Sequence, residues 1–92
     1  LSLLQLAKKK QNELNLGGIL YLSDKLDKKL MLIYNGKKIH FGLKGSNTYL
    51  EGADESKRKA YRARHKKIQV LNGDLAYKVK YSPSYLSWHL LW

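Results

Sequence analysis

Three histidines, seven carboxylates, one glycine-bounded loop and a dense run of cations are the groups in this 92-residue sequence with chemistry to offer. His40, His65 and His89 are scattered, no His pair stands at i,i+4, and there is no cysteine. A zinc or other transition-metal site would therefore need a tertiary coincidence, and the histidines read as structural or surface residues. Asp24, Asp27, Asp54 and Asp74 sit beside lysines or turn formers, where carboxylates cap and close loops. Nothing marks a general acid and base pair. Gly42-Leu43-Lys44-Gly45-Ser46 resembles a phosphate loop, but it lacks the Walker spacing and reads as a turn. No catalytic residue, cofactor site or metal site is expected, and the chain does not read as an enzyme.

The cations carry the strongest signal. Lys+Arg number 18 against 7 Asp+Glu, a net charge of +11, and only Arg58, Arg62 and Arg64 are not lysines. Such a balance favours phosphate, anionic headgroups or acidic protein faces as neighbours. Lysine is a flexible point charge without the bidentate fork that reads guanine edges, so sequence-specific DNA readout is disfavoured. The charge is densest over residues 57–67, where seven of eleven positions are Lys or Arg and none is acidic. A charge run is commonly just a solvated face. Here no i,i+4 acid relieves the repulsion, which argues for an acidic partner.

The elements around these groups follow from pattern. Residues 54–68 read as the basic helix: Asp54 is a suitable N-cap, Glu55 suits the positive helix start, and Lys66-Lys67 suit the negative end. Its narrow inward stripe is expected to hold Ala60, Tyr61, Arg64 or His65, and Ile68. Lys57, Arg58, Lys59, Arg62 and Lys66 are then left on the surface. Asn35-Gly36 tolerates the two positive φ angles of a type I′ turn and joins two apolar runs. The register predicted pairs Tyr34 with Lys37, Leu32 with Ile39 and Leu30 with Phe41 on the core face, with Met31, Ile33, Lys38 and His40 opposite. Ile19 to Leu22 reads as a short strand after Gly17-Gly18, and residues 1–16 as a short helix or a mobile arm. Asn72-Gly73 predicts a second hairpin, with Val70, Leu75 and Tyr77 inward. Ser82-Pro83 opens a final helix over 83–92 that is apolar nearly all round, hence core or interface. Leu at position 1 reads as a processed or truncated chain, and Lys8 to Lys10 lie on the wrong side of the apolar residues for a signal peptide. The longest apolar run, residues 16–22, is far short of the ~20 residues that span a bilayer.

A family resemblance adds to this. Gly36-Lys37-Lys38-Ile39-His40-Phe41-Gly42, Gly45, Tyr49, Asp54 with Lys57-Arg58, and Tyr61-Arg62-Ala63-Arg64-His65-Lys66 form its first part. Leu75-Ala76-Tyr77-Lys78, Ser82-Pro83-Ser84-Tyr85-Leu86-Ser87-Trp88 and Leu91-Trp92 complete it. Together they resemble a family of small basic proteins of large nucleocytoplasmic double-stranded DNA viruses. The chain departs from that pattern at Leu50-Glu51-Gly52-Ala53, where relatives carry acidic or polar residues, and over residues 1–28, which match no part of it. The resemblance implies a virion component, most simply a minor capsid protein.

The expectation is an α+β chain: an N-terminal arm or extension over residues 1–28, then a small domain over 29–92 of antiparallel hairpins packed on one basic helix, with a short aromatic C-terminal helix. The function expected is structural, cementing neighbouring capsid proteins of a virion assembled in the host cell. Lys57, Arg58, Arg62 and Lys66 would meet an acidic surface on other capsid proteins, the internal membrane or the genome. Tyr85, Trp88 and Trp92 would be apolar anchors for the partner. The alternative is a non-specific nucleic-acid binder that packages the genome; a ribonucleoprotein component is a weaker third.

Overall fold

The computed structural model describes residues 2–92. Leu1, the first residue of the expected arm, lies outside the described residues. The chain is α+β and forms two compact units, one ending at Ser46 and one running from Asn47 to Trp92.

In the first unit, α1 (Leu3–Glu13) starts at a reciprocal cap. Ser2 Oγ accepts from the Gln5 amide at 3.2 Å, and Gln5 Oε1 accepts from the Ser2 amide at 2.9 Å. The helix ends in a left-handed residue, Asn15 with φ 54°, while the Leu16 and Asn15 amides bond back to the Gln11 and Asn12 carbonyls. Asparagine tolerates that conformation, and the two bonds satisfy carbonyls the helix end would otherwise orphan. Buried Gln11 closes the junction: its Nε2 donates to the main-chain oxygens of Leu16, Gly17 and Gly18 at 3.2, 3.1 and 2.9 Å.

Three antiparallel strands follow in the order β1 (Ile19–Leu22), β2 (Lys28–Tyr34), β3 (Lys37–Leu43), and α1 packs against β1. The β2–β3 register is the one Asn35-Gly36 demands: Tyr34 faces Lys37, Leu32 faces Ile39 and Leu30 faces Phe41. Asn35 and Gly36 take φ 51° and 76°, the type I′ signature. Leu20, Leu30, Leu32 and Phe41 share one face and are almost wholly buried. The opposite face is not a plain solvent face, because Met31 is buried there and Ile33 and His40 are half-buried. Gly42, expected in a loop, belongs to β3.

The second unit holds a 3-10 turn at Tyr49–Glu51, α2 (Glu55–His65), a 3-10 turn at Ala76–Lys78, α3 (Pro83–Leu86) and a π-helical stretch at Ser87–Leu91. Its buried residues are Thr48, Ala53, Tyr61, Ala76, Leu86, Leu90, Leu91 and Trp92. Three expectations are corrected here. The basic helix stops at His65 with Lys66 as C-cap, so Ile68 lies beyond it and is exposed. Asn72-Gly73 makes a turn but no strand hairpin: Gln69 and Leu75 form one isolated bridge, and the chain then coils into the 3-10 turn that lets the Tyr77 ring stack on Trp88 at 4.2 Å. Finally, the C-terminal helix is α-helical for only its first turn. Its last residues widen to i→i+5 bonding, with the Trp92 amide donating to the Ser87 carbonyl at 3.1 Å.

Candidate polyanion-binding surface

The sequence of α2 explains both its position and its charge. Asp54 Oδ1 accepts from the Lys57 amide at 2.9 Å and opens the helix. Glu55 lies in the first turn, and Arg62, Arg64 and His65 in the last, each complementing the helix dipole. Tyr61 is the one buried residue of the helix and decides which face turns inward. Its ring stacks on His65, 3.9 Å between centroids and 16° between planes, and on Trp92 at 4.3 Å and 8°. His65 Nδ1 donates to the Tyr61 carbonyl at 2.9 Å, which holds that stack in place. Burial pushes the Tyr61 phenol above its ordinary pKa, against the smaller opposite pull of a hydrogen bond to Ser87 and of the nearby Arg64 charge.

Of the four residues three or four positions from Tyr61, Arg58 and His65 are half-buried beside it while Lys57 and Arg64, on its other flank, are exposed; Arg62 is half-buried next to Arg58. Arg58 Nε donates to the Trp92 main-chain oxygen at 2.8 Å and its Nη1 to Glu55 Oε1 at 3.2 Å, while its guanidinium covers the Tyr49 ring at 4.7 Å. Arg62 Nη2 reaches the same Trp92 oxygen at 3.1 Å, and its guanidinium lies 5.0 Å over the Trp88 ring. Burial lowers the Arg62 pKa, as does the neighbouring Arg58 charge, with Glu55 pulling the other way. The buried Arg62 Nε has no hydrogen-bond partner.

The four cations expected to meet an acidic surface are therefore split. Arg58 and Arg62 are half-buried and committed to Trp92, whereas Lys57 and Lys66 are exposed. Lys59, Arg64 and Lys67 are exposed beside them, as are Ser56, Ala60 and Ala63. Ala60, expected on the inward stripe, is exposed, and of the alternatives Arg64 and His65 it is His65 that is half-buried there. Tyr61, the only large apolar side chain in the helix, turns inward as expected, and Arg58, Arg62 and His65 are half-buried on one side of it. The three residues expected as partner anchors lie close together near the chain's end. Trp92 is buried on Tyr61, Trp88 is half-buried between Tyr77 and Arg62, and Tyr85 is half-buried with its ring 4.2 Å from that of His89.

Other candidate groups have internal occupations. His40 Nδ1 lies 2.7 Å from Ser23 Oγ and its Nε2 lies 3.8 Å from Asp24 Oδ1, so it ties the β1–β2 connection to β3. Among the described residues, no group of three or more His, Cys, Asp or Glu side chains is arranged to hold a metal ion. No helix among them is long and apolar enough to cross a membrane.

Residues 18–65, from the glycine before β1 to the end of α2, match the family described as "Family of unknown function (DUF5754)". The chain belongs to this family. A curated relative, an uncharacterized protein of Acanthamoeba polyphaga mimivirus, is 37% identical over 75 residues, which cover 76% of this chain and 75% of the relative. A protein of a large nucleocytoplasmic DNA virus is thus a homologue, as the resemblance implies. No solved structure matches the chain. The family span includes Lys57, Lys59 and Arg64 and ends just before Lys66 and Lys67. It also stops short of the segment that carries Tyr85, Trp88 and Trp92.

Proposed function

We propose that this DUF5754 protein is a structural, non-catalytic component of the virion of a large double-stranded DNA virus, holding an acidic neighbour against the outer face of α2. The observation that carries the reading is the set of exposed cations Lys57, Lys59, Arg64, Lys66 and Lys67, which α2 presents together. Its two acids are used elsewhere: Asp54 caps the helix and Glu55 pairs with Arg58 on the inner side. Neither the Lys57–Arg64 row nor the Lys59–Lys66 row contains an acid, and an acidic neighbour relieves the repulsion among these cations. In the virion the role is that of a minor capsid protein bridging neighbouring capsid proteins. The mimivirus relative supports the viral context. The test is quantitative mass spectrometry of purified virions combined with amine-reactive cross-linking, for which the four lysines are suited. Stoichiometric presence with cross-links from Lys57, Lys59, Lys66 or Lys67 to one neighbour is expected, and absence from virions rejects the reading.

A second reading, a non-specific nucleic-acid binder, is favoured by the inward placement of Trp92 and the half-burial of Trp88. With the largest apolar residues engaged inside the chain, the outer face of α2 offers charge rather than an apolar anchor, and charge alone suffices for phosphate binding.

A further inference from the structure

We infer that the acidic neighbour of α2 is duplex DNA, entered through its major groove and held without sequence selection. This rests on the second reading above, the non-specific nucleic-acid binder, and replaces a capsid protein with DNA as the neighbour of α2.

The inference comes from how the exposed cations are distributed around the helix. Residues seven apart fall nearly in line, so Lys57 stands in a row with Arg64 and Lys59 in a row with Lys66. At 3.6 residues per turn the two rows are separated by roughly 160° around the axis. Ser56, Ala60 and Ala63 lie between them, all exposed, and Lys67 follows at the helix end. The outer face is therefore a crest of small side chains with a cationic wall on either flank.

A flat acidic protein surface fits this shape poorly, because it would meet the crest while both rows point past it. A channel with two anionic walls and an uncharged floor fits it well. The B-DNA major groove is about 12 Å wide and admits an α-helix, with a phosphate strand along each side. A helix with its side chains is about 10–12 Å across. Alanine and serine on the crest let the backbone approach the base edges, and the rows reach the phosphates of both strands. The 11 residues of α2 extend about 16 Å, or roughly five base pairs. A-form RNA has a deep, narrow major groove that excludes the helix, and a single strand has no second wall. Selection among base sequences is absent for a chemical reason. Three of the four row cations are lysines, point charges that neutralise phosphate, and Ser56, Ala60 and Ala63 cannot make bidentate contacts to bases. Two of the chain's three arginines, Arg58 and Arg62, are held by the Trp92 oxygen on the other side of the helix.

The experiment is fluorescence anisotropy of the full chain with labelled 20-mers as duplex DNA of three unrelated sequences, duplex RNA and single-stranded DNA, from ~50 to ~300 mM KCl, with competition by polyglutamate. Expected is tightest binding to duplex DNA, equal for the three sequences, with log K falling against log salt at a slope of about −4.5 if all five cations neutralise phosphates. The pairs Lys57→Ala with Arg64→Ala, and Lys59→Ala with Lys66→Ala, each make that slope shallower by about 1.8. Ala63→Tyr, an exposed change that keeps every charge, is expected to weaken duplex DNA binding tenfold or more while leaving polyglutamate binding unchanged. Equal affinity for duplex DNA, duplex RNA and single strands, or indifference to Ala63→Tyr, overturns groove entry. Binding of polyglutamate but of no nucleic acid overturns DNA as the neighbour and leaves the acidic-neighbour reading standing. Binding of none of these polyanions rejects both.

Discussion

Arg58 donates from Nε to the main-chain oxygen of Trp92, 34 positions further along the chain, at 2.8 Å, so the most basic helix uses one of its arginines as an internal fastener. Arg62 adds a second bond to the same oxygen. One acceptor shared by two cationic donors fixes the end of the π-helical stretch, and the Trp92 ring is then placed flat on Tyr61. Charge in α2 is consequently of two kinds: Arg58 and Arg62, which hold the fold from the inner side, and the exposed Lys57, Lys59 and Arg64.

That division predicts opposite phenotypes for neighbouring residues. Arg58→Gln and Arg62→Gln should each cost about 1–3 kcal/mol, because each removes a hydrogen bond from a charged group and leaves the Trp92 oxygen less satisfied. Lys57→Ala and Lys66→Ala, which remove exposed charges, should change stability by less than about 0.5 kcal/mol. Urea unfolding followed by tryptophan fluorescence checks this directly, since Trp88 and Trp92 both belong to the unit from Asn47 onward. Equal costs for the inner and outer cations would contradict the division.

Trp92 itself should be among the costliest positions. It is 9% exposed and stacked on Tyr61. Trp92→Ala removes that stack, opens a cavity and withdraws support from the rings beside it, and a loss of about 3–5 kcal/mol is expected. Trp92→Phe keeps a flat ring and should recover much of it. Denaturation monitored by the remaining Trp88 distinguishes the two variants. Trp92 is an internal anchor of its own unit if the Ala variant unfolds at markedly lower denaturant; a variant as stable as the parent would return it to the surface role expected from its residue type.

How far the sequence foretold this depends on whether a signal is local. Asn35-Gly36 fixed the hairpin because its two φ requirements involve adjacent residues, and the register follows by counting outward. Asp54 as a cap is equally local. The orientation of α2 was harder, because Ala60 and Tyr61 carry similar weight in an apolar pattern although only Tyr61 has the area to dictate burial. Asn72-Gly73 has the same local chemistry as Asn35-Gly36, yet the strand after it is lost to the 3-10 turn at Ala76–Lys78, where Tyr77 gains a stack with Trp88. Tertiary packing overrides turn preference there. Nothing local announced the convergence of Arg58 and Arg62 on a residue at least 30 positions away.

Two glycines with similar φ should respond very differently to alanine. Gly36 has φ 76° and open space where a Cβ would stand, so Gly36→Ala pays only the left-handed penalty of about 1–2 kcal/mol. Gly18 has φ 86° and its Cβ would lie 2.6 Å from the Ile33 carbonyl oxygen, with Leu32 Cδ1 at 3.0 Å. A backbone oxygen paired in the sheet cannot yield as a side-chain tip can. Gly18→Ala should therefore cost more than Gly36→Ala, about 3 kcal/mol or more, by loosening β1 from β2. Hydrogen exchange at the β1 amides is the measurement: protection should fall sharply in Gly18→Ala and little in Gly36→Ala.

Tyr61 gives the second unit an alkaline limit. Its phenol is pushed above the ordinary value of 10.0 chiefly by burial, so the folded chain keeps this proton at pH values where the unfolded chain releases it. More protons bound in the folded state means that stability declines as pH rises. The contribution of Tyr61 is complete below pH 10.0, the ordinary value, and is lost progressively as pH climbs toward and through the raised folded value. Alkali acts on the rest of the chain as well, so the informative quantity is a difference. Tyr61→Phe loses the hydroxyl and its bond to Ser87 and should be the less stable chain near pH 7. Its deficit relative to the parent should shrink as pH rises above 10.0, because the variant has no phenol to ionise on unfolding. Parallel stability curves above that pH, read from urea midpoints by tryptophan fluorescence, would show that the Tyr61 phenol is not held neutral by the fold.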